Sequence, residues 1–314
     1  MTKDHLNKTR ADHFQWCFFH PRYWITWLGL GLSILPTLLP YRVIFRIGNG
    51  CGWLLFKLAH SRVHIARVNL KLCFPKMHDN EIEQLLRANF QSVGMGLMEV
   101  AIAWWWSKKR LEKKVYFEGL EHLRQDQQGR GTILLILHFT TIELSGALIT
   151  LRHSLKATYR EHKNQVFEYM QRRQRLRYDS DSRLLGRRDI RGMLRVLREG
   201  GTVWYAPDQD YGQNNSVFAR FFDIEAATVT GTARLARIGK ARVVPMVVTR
   251  LPDAAGYALK VYKPWHDFPK NDDLVDANYV NQFIEARVRE HPEQYMWLHR
   301  RFKTRPVGEN SFYN

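Results

Sequence analysis

The sequence predicts an α/β fold, a central mixed sheet flanked by helices, with an N-terminal membrane-embedded helix ahead of it. Three observations carry this. After residue 110, short apolar runs alternate with stretches of helical periodicity, the pattern of strands with helices packed on a sheet. Trp24 to Pro40 is a 17-residue run with no charged side chain. The chain has 314 residues, enough for one large domain or two modest ones. The expected division is an anchor over 1–41 and a larger domain over 42–314.

Arg22 borders the uncharged run on one side, and Arg42 and Arg46 on the other. Tyr23, Trp24, Trp27 and Tyr41 stand near its ends, where interface anchors sit. The run is shorter than the roughly 20 residues of a comfortable spanning helix. Pro36 and Pro40 weaken a straight helix further. Spanning and re-entrant forms both fit, and a buried helical hairpin is the alternative. A cleaved signal peptide would need a small-residue site after the run, and none follows. Basic residues on both flanks leave the orientation open.

Asp79 to Trp106 reads as a long helix, capped by Asp79 or Asn80, with Ile82, Leu85, Leu86, Phe90, Val93 and Leu97 at spacings of three and four. It ends on three tryptophans followed by Lys108, Lys109 and Arg110. That end meets lipid, or else it is core aromatics beside a solvated charge run. Strands are predicted at 115–117, 132–137, 157–159, 202–206, 243–249 and 257–262. Helices are predicted at 140–151, 164–177, 189–198, 230–238 and 277–290.

Charge narrows the partners. There are 48 Lys and Arg against 30 Asp and Glu, a formal charge of +18. Such a surface seeks a polyanion: nucleic acid, an anionic bilayer or a phosphorylated substrate. Ten tryptophans, many near arginines, suit a headgroup zone or base stacking. Three cysteines without a C-x-x-C pair argue against a disulfide framework or a zinc site.

His138 and Glu143 carry the chemistry. His138 ends an apolar run, and Glu143 follows five positions later. On one ideal helix that offset turns about 140° around the axis, so the two would not share a face. The pair makes sense with His138 on a strand-to-helix turn and Glu143 in the first helical turn. Neutral His138 can then take the proton of an attacking alcohol. A carboxylate on the other ring nitrogen fixes the tautomer and stabilises the imidazolium. Two blander readings stand beside this. Thr140-x-x-Glu143 is also a capping box, and His138 can be a structural turn histidine.

The motifs together resemble a known family. They are His20-Pro-Arg-Tyr-Trp24, Asn69-Leu-x-Leu-Cys-Phe-Pro75, Asn89-Phe-x-Ser-x-Gly-Met95, His138-Phe139 through Glu143, Trp204-Tyr-Ala-Pro-Asp-Gln-Asp-Tyr-Gly212, and Pro292 through Pro306. The chain resembles the acyltransferases with a His-x4-Asp/Glu motif, and most closely the late acyltransferases of lipid A biosynthesis of Gram-negative bacteria. The resemblance implies a glycerolphosphate-acyltransferase-like fold at the cytoplasmic face of the inner membrane. It implies transfer of a fatty acyl group from acyl carrier protein to the hydroxyl of a 3-hydroxyacyl chain on a Kdo-bearing lipid A precursor. Laurate is the expected chain, from the match around Ser92 to Leu97. The family's dyad maps onto His138 and Glu143. Its active-site arginine and aspartate map best onto Arg177 and Asp210. Arg175 can take the arginine's place, because the stretch from Asp179 to Ser182 looks longer than the family's spacing.

Other candidates follow from charge and position. Arg172 to Arg198 holds ten arginines and no lysine, and arginine is the better fork for phosphate and carboxylate. Arg175 and Arg188 are expected to touch substrate, or else the run is a solvated face. Arg160 ends a strand, where ligands often bind in α/β sheets. Asp208 shares the loop of Asp210, although a hydrophilic turn would also explain it. Arg300, Arg301, Lys303 and Arg305 are candidates to dock the acidic carrier protein. No metal-ligand spacing and no ATP-binding loop is present, so neither a metal nor another cofactor is expected. A basic nucleic-acid-binding protein and a non-enzymatic lipid-binding protein are the alternative functions. No nucleic-acid motif supports the first.

Overall fold

A computed structural model describes residues 13–124 and 128–313; residues 1–12 of the expected anchor lie outside them. The chain opens with α1 (Trp24–Leu32), α2 (Tyr41–Leu58), α3 (His60–Cys73), the long α4 (Asp79–Trp105) and the short α5 (Lys108–Glu112). Then come β1 (Val115–Glu118), β2 (Thr132–Leu135), α6 (Ile142–Thr150), β3 (Lys156–Tyr159), α7 (Gln165–Arg175), β4 (Arg183–Gly186), α8 (Ile190–Arg198) and β5 (Thr202–Tyr205). A hairpin of β6 (Ser216–Phe221) and β7 (Ile224–Val229) follows, then α9 (Gly231–Gly239), β8 (Arg242–Arg250), β9 (Tyr257–Val261) and α10 (Asp273–Glu290).

Seven strands form the main sheet in the order β1-β9-β8-β2-β5-β3-β4. Only β8 and β9 pair antiparallel; the other neighbours are parallel, so the sheet is mixed as expected. Side chains alternate across it. Ile133, Leu135, Val203, Val243 and Val247 face a core shared with α3, α8, α9 and α10. Leu134, Ile136, Trp204, Val244 and Met246 face a second core shared with α1, α6 and α7. This is the period of two that a strand buried on both faces requires. Helix α4 passes from one core to the other: Ile82, Leu86 and Phe90 belong to the first, Met95, Ile102 and Trp104 to the second.

The expected N-terminal membrane-embedded helix is not found as a spanning helix. Among the described residues no helix is long and apolar enough to cross a membrane. Trp24 to Pro40 breaks into nine residues of α1, a 3-10 turn at Leu35–Leu38 with Pro36 in its first positions, and Pro40 ahead of α2. A proline lacks the N–H that would continue the ladder and its ring clashes with the preceding turn, so two of them divide the segment. Helix α2 then packs on α4 through glycine. A Cβ on Gly94 would stand 2.2 Å from the Gly52 nitrogen, and one on Gly48 would stand 2.8 Å from the Met95 Cα.

The long helix keeps its expected start but not its expected cap. His78 and Glu81 form the capping box, with the His78 N–H donating to Glu81 Oε2 at 2.7 Å. Helices α2, α3 and α5, strand β4 and the β6–β7 hairpin are additions to the predicted set.

Candidate active site

Parallel pairing of β2 with β5 builds the centre of the site. Leu135 is in register with Tyr205 at the last rung. Three residues beyond each stand His138 and Asp208. Adjacent parallel strands deliver their carboxyl-terminal loops side by side, which is where α/β sheets bind ligands. Asp208 holds His138 twice. Its Oδ1 lies 2.5 Å from His138 Nδ1, and its Oδ2 accepts the His138 backbone N–H at 2.8 Å. The Asp208 side chain is fully buried, while His138 keeps 19% exposure. Burial alone would raise the Asp208 carboxyl. The His138 ring and the hydrogen bonds outweigh it and hold the group below its ordinary range. Nδ1 is thereby engaged, and Nε2 is the nitrogen left for a substrate.

Glu143 therefore does not orient the ring, as the sequence had suggested. It sits in the first turn of α6 and accepts a two-pronged bond from Arg175, Nε to Oε1 at 3.0 Å and Nη2 to Oε2 at 2.5 Å. Trp104 Nε1 adds a bond to Oε1 at 2.9 Å. Burial pushes the Glu143 carboxyl up, but the Arg175 guanidinium and the Trp104 N–H bring it below the usual range. The capping-box reading also fails, because the hydroxyl of Thr140 is used elsewhere. It bonds Ser92 Oγ at 2.8 Å and accepts from Arg250 Nη2 at 3.2 Å.

Arg177 and Asp210 are bonded to other groups. Arg177 Nη1 donates to the Trp104 carbonyl at the end of α4 and lies beside Gln174. Asp210 is buried and ties the loop after β5 to the C-terminal segment. It accepts from Gly212 N at 2.8 Å, Thr304 N at 2.8 Å and Thr304 Oγ1 at 2.9 Å. Its own N–H donates to His299 Nε2 at 3.0 Å. Burial, with His138, Lys303 and Arg301 nearby, pushes His299 down to about 4, so the ring is neutral and able to accept. Counting past the apolar run would have separated the two aspartates: Asp208, not Asp210, matches the offset of His138.

Two further supports were not visible in the sequence. Arg250, on β8, grips Glu99 of α4 at 2.7 and 2.8 Å and reaches Ser92 Oγ at 2.8 Å. That buried network pins the His138 loop to α4, where a Cβ on Gly96 would stand 2.8 Å from the Thr140 carbonyl oxygen. The C-terminal segment closes the loop from the other side. Met296 N donates to the His138 carbonyl at 3.0 Å, Thr140 N to the Gln294 carbonyl at 2.8 Å, and Tyr295 OH to the Asp208 carbonyl at 3.3 Å.

A cavity of about 310 Å³ opens beside these groups. His138, Glu143, Arg175 and Arg160 give it polar walls, and Ile142, Gly146, Ala147, Leu155, Leu184 and Trp204 give it apolar ones. The size suits a small-molecule or single-chain site. Arg160 and Arg175 thus line the cavity, whereas Arg188 is exposed on the turn before α8 and does not. Of the basic residues near the C-terminus, Arg301 is buried on the Ala227 carbonyl and Thr228. Arg305 is engaged with Glu225 and Glu309. Arg300 is exposed and Lys303 is 45% exposed, so these two face solvent.

Known proteins resemble the chain along nearly its whole length. The family described as bacterial lipid A biosynthesis acyltransferase matches residues 11–304. The lipid A biosynthesis lauroyltransferase of Escherichia coli K12 is 43% identical over 97% of this chain and all of that one. The lipid A biosynthesis palmitoleoyltransferase of the same organism is 42% identical over 94% of this chain and 96% of that one. Among solved structures, a 1-acyl-sn-glycerophosphate acyltransferase from Thermotoga maritima covers 83% of this chain and 98% of that one, at a TM-score of 0.37 and 16% identity. At that distance the match adds nothing about the fold.

Proposed function

We propose the following reaction for this chain, which belongs to the bacterial lipid A biosynthesis acyltransferase family: transfer of a fatty acyl group from acyl carrier protein to the hydroxyl of a 3-hydroxyacyl chain on a Kdo-bearing lipid A precursor. The observation that supports it best is the His138–Asp208 pair at the wall of a cavity with an apolar side. A base beside an apolar cavity suits a reaction between an alcohol and a fatty thioester. The work takes place at the cytoplasmic face of the inner membrane, where the donor and the lipid acceptor meet.

The acyl chain lies along Gly146, Ala147 and Leu184, which brings its thioester carbon to His138. Nε2 of His138 takes the proton of the lipid hydroxyl as its oxygen adds to the carbonyl carbon. Asp208 holds the Nδ1–H tautomer and stabilises the imidazolium that forms. Arg175, aligned by Glu143, supplies positive charge for the tetrahedral oxyanion. Collapse of that intermediate breaks the carbon–sulfur bond, and the imidazolium returns its proton to the departing thiolate. No enzyme nucleophile is needed. Arg300 and Lys303, beside the Asp210 clamp, are the basic residues placed to receive an acidic carrier.

Laurate is the proposed chain. Identities of 43% to a lauroyltransferase and 42% to a palmitoleoyltransferase do not separate the two, so the test must read the product. Mass spectrometry of lipid A from a strain lacking its own late acyltransferase and carrying this gene should show one added laurate. Lipid A left at the precursor mass would overturn the reading, and added palmitoleate would correct the chain.

A further inference from the structure

The cavity runs the depth of the sheet, and its two ends differ in chemistry. His138 and Arg160 stand at its mouth, beyond the carboxyl ends of β2 and β3. Leu155, Ser182 and Arg183 stand at the far end, where β3 and β4 begin. Register fixes the separation. Lys156 pairs with Arg183 and with Val203, and Val203 pairs with Ile133, five residues before His138. At 3.3 Å per residue the ends lie about 16 Å apart. Helix α6 runs back over that span, about 12 Å from Ile142 to Thr150 at 1.5 Å per residue. Ile142, Gly146, Ala147 and Thr150 share the face it turns to the cavity. Ala147, Leu155, Leu184 and Trp204 are buried and make the walls between the ends apolar. An extended fatty chain of medium length fills such a span.

The far end is polar and tightly built. Ser182 is buried, and its Oγ donates to Asp179 Oδ2 at 2.5 Å and accepts from Leu155 N at 3.1 Å. Asp179 Oδ1 accepts from Asp181 N at 3.2 Å. Arg183 N donates to the Leu155 carbonyl at 3.1 Å. The Arg183 guanidinium folds back on the carbonyls of Ser180 and Ser182, the second at 2.8 Å. Lys156 Nζ donates to the Asp181 carbonyl. Residues 179–183 thus form a turn whose polar groups bond one another and the start of β3. Arg183 is exposed on its outer side, so this one side chain stands between the cavity and solvent.

A fatty chain is drawn inward for as long as each methylene exchanges water for an apolar wall. At Ser182 and Arg183 that gain ends. A methyl group pushed among them would strip water from a guanidinium and its carbonyl partners, or break their bonds, with no apolar contact in return. We infer that the turn at 179–183 is a polar stop, which closes the far end of the cavity and sets the longest acyl chain the protein accepts. The inference rests on the reading that the cavity holds the donor's fatty chain. Replacing Arg183 by an apolar or small residue removes the stop and lets a longer chain continue past Leu184.

The test offers the full chain an equal mixture of decanoyl, lauroyl, myristoyl and palmitoyl thioesters of acyl carrier protein and reads the products by mass spectrometry. Wild type should show a sharp upper limit, since one methylene at the end of a fitted pocket is worth about 10- to 200-fold. Arg183→Ala should raise the next longer chain, relative to the preferred one, by at least about tenfold. Arg183→Met, which keeps the bulk and removes the polarity, should do the same. An unchanged length profile in both variants would overturn the inference. A limit kept by Arg183→Met and lost only in Arg183→Ala would make the stop one of bulk, and would overturn its polar nature. Thermal melts check folding, and if Arg183→Ala does not fold, Arg183→Met carries the test. Displacement of a fluorescent fatty acid by free laurate and myristate keeps the reaction and the stop separate. A wild type that transfers nothing, yet binds one length over the next with a preference that Arg183→Met loses, would sink the reaction and leave the stop intact. Transfer by wild type with the same profile in every variant would do the reverse.

Discussion

Glu143 is the partner that the sequence offers His138, and the structure puts Asp208 on the ring instead. Asp208 is bonded to His138 Nδ1, while Glu143 is bonded to Arg175 and Trp104. Arginine's planar fork makes the second pair directional, and lysine cannot replace it. Arg175→Lys is expected to lower kcat by about 100-fold, the effect of a displaced positioning group, with KM for the lipid little changed. Arg177→Lys, at a residue bonded to the end of α4 and to Gln174, should stay within about tenfold; steady-state kinetics of the two side by side decides. His299 gives a pH signature. Its folded pKa of about 4 lies below the ordinary 6.5, so between those values the unfolded chain binds the extra proton and stability falls as pH falls. Above pH 6.5 the effect is absent. Urea midpoints from pH 7 to 4 should show that slope in wild type, and His299→Gln, whose amide oxygen can still accept from Asp210, should flatten it.

At the scale of elements, packing explains what spacing could not. Helix α2 reaches α4 because Gly48, Gly52 and Gly94 leave the backbones bare. Gly94→Leu is expected to destabilise by about 1–3 kcal/mol or more through overpacking. Gly50→Ala, with nothing within 4 Å of the new Cβ, should stabilise by about 0.5–1 kcal/mol from helix propensity. Thermal melts of the two give opposite shifts. Much of the sheet was legible: apolar runs placed β2, β5, β8 and β9 to within a few residues. The hairpin was not, because its turn is Phe222-Asp223 at positive φ, where an Asn-Gly pair would have announced it. β4 was hidden inside an arginine-rich stretch, since only Leu184 and Leu185 of its four residues are buried. The segment 24–40 is a different matter. Hydropathy records its apolar surface, and Pro36 and Pro40, legible in the sequence, divide it so that no helix there is long enough to cross a membrane.

For the whole molecule, the site is a property of topology. His138 was legible as the end of an apolar run, but its partner lies 70 residues away in the loop after another strand, and only strand order makes them neighbours. The same assembly removes three of the ten tryptophans from any stacking role. Trp104, Trp106 and Trp297 are buried at 1–3% exposure, so they are core and cannot stack on bases.

The most direct test is the turnover of Asp208→Asn, with acyl carrier protein as donor and purified lipid A precursor as acceptor. Asparagine keeps the shape but not the charge, and loss of the carboxylate behind a catalytic histidine costs about 10⁴-fold in kcat. A loss of about 10³–10⁴-fold at nearly unchanged KM is the predicted result. Turnover within about tenfold of wild type, with Glu143→Gln inactive, would contradict the account and return the ring to Glu143.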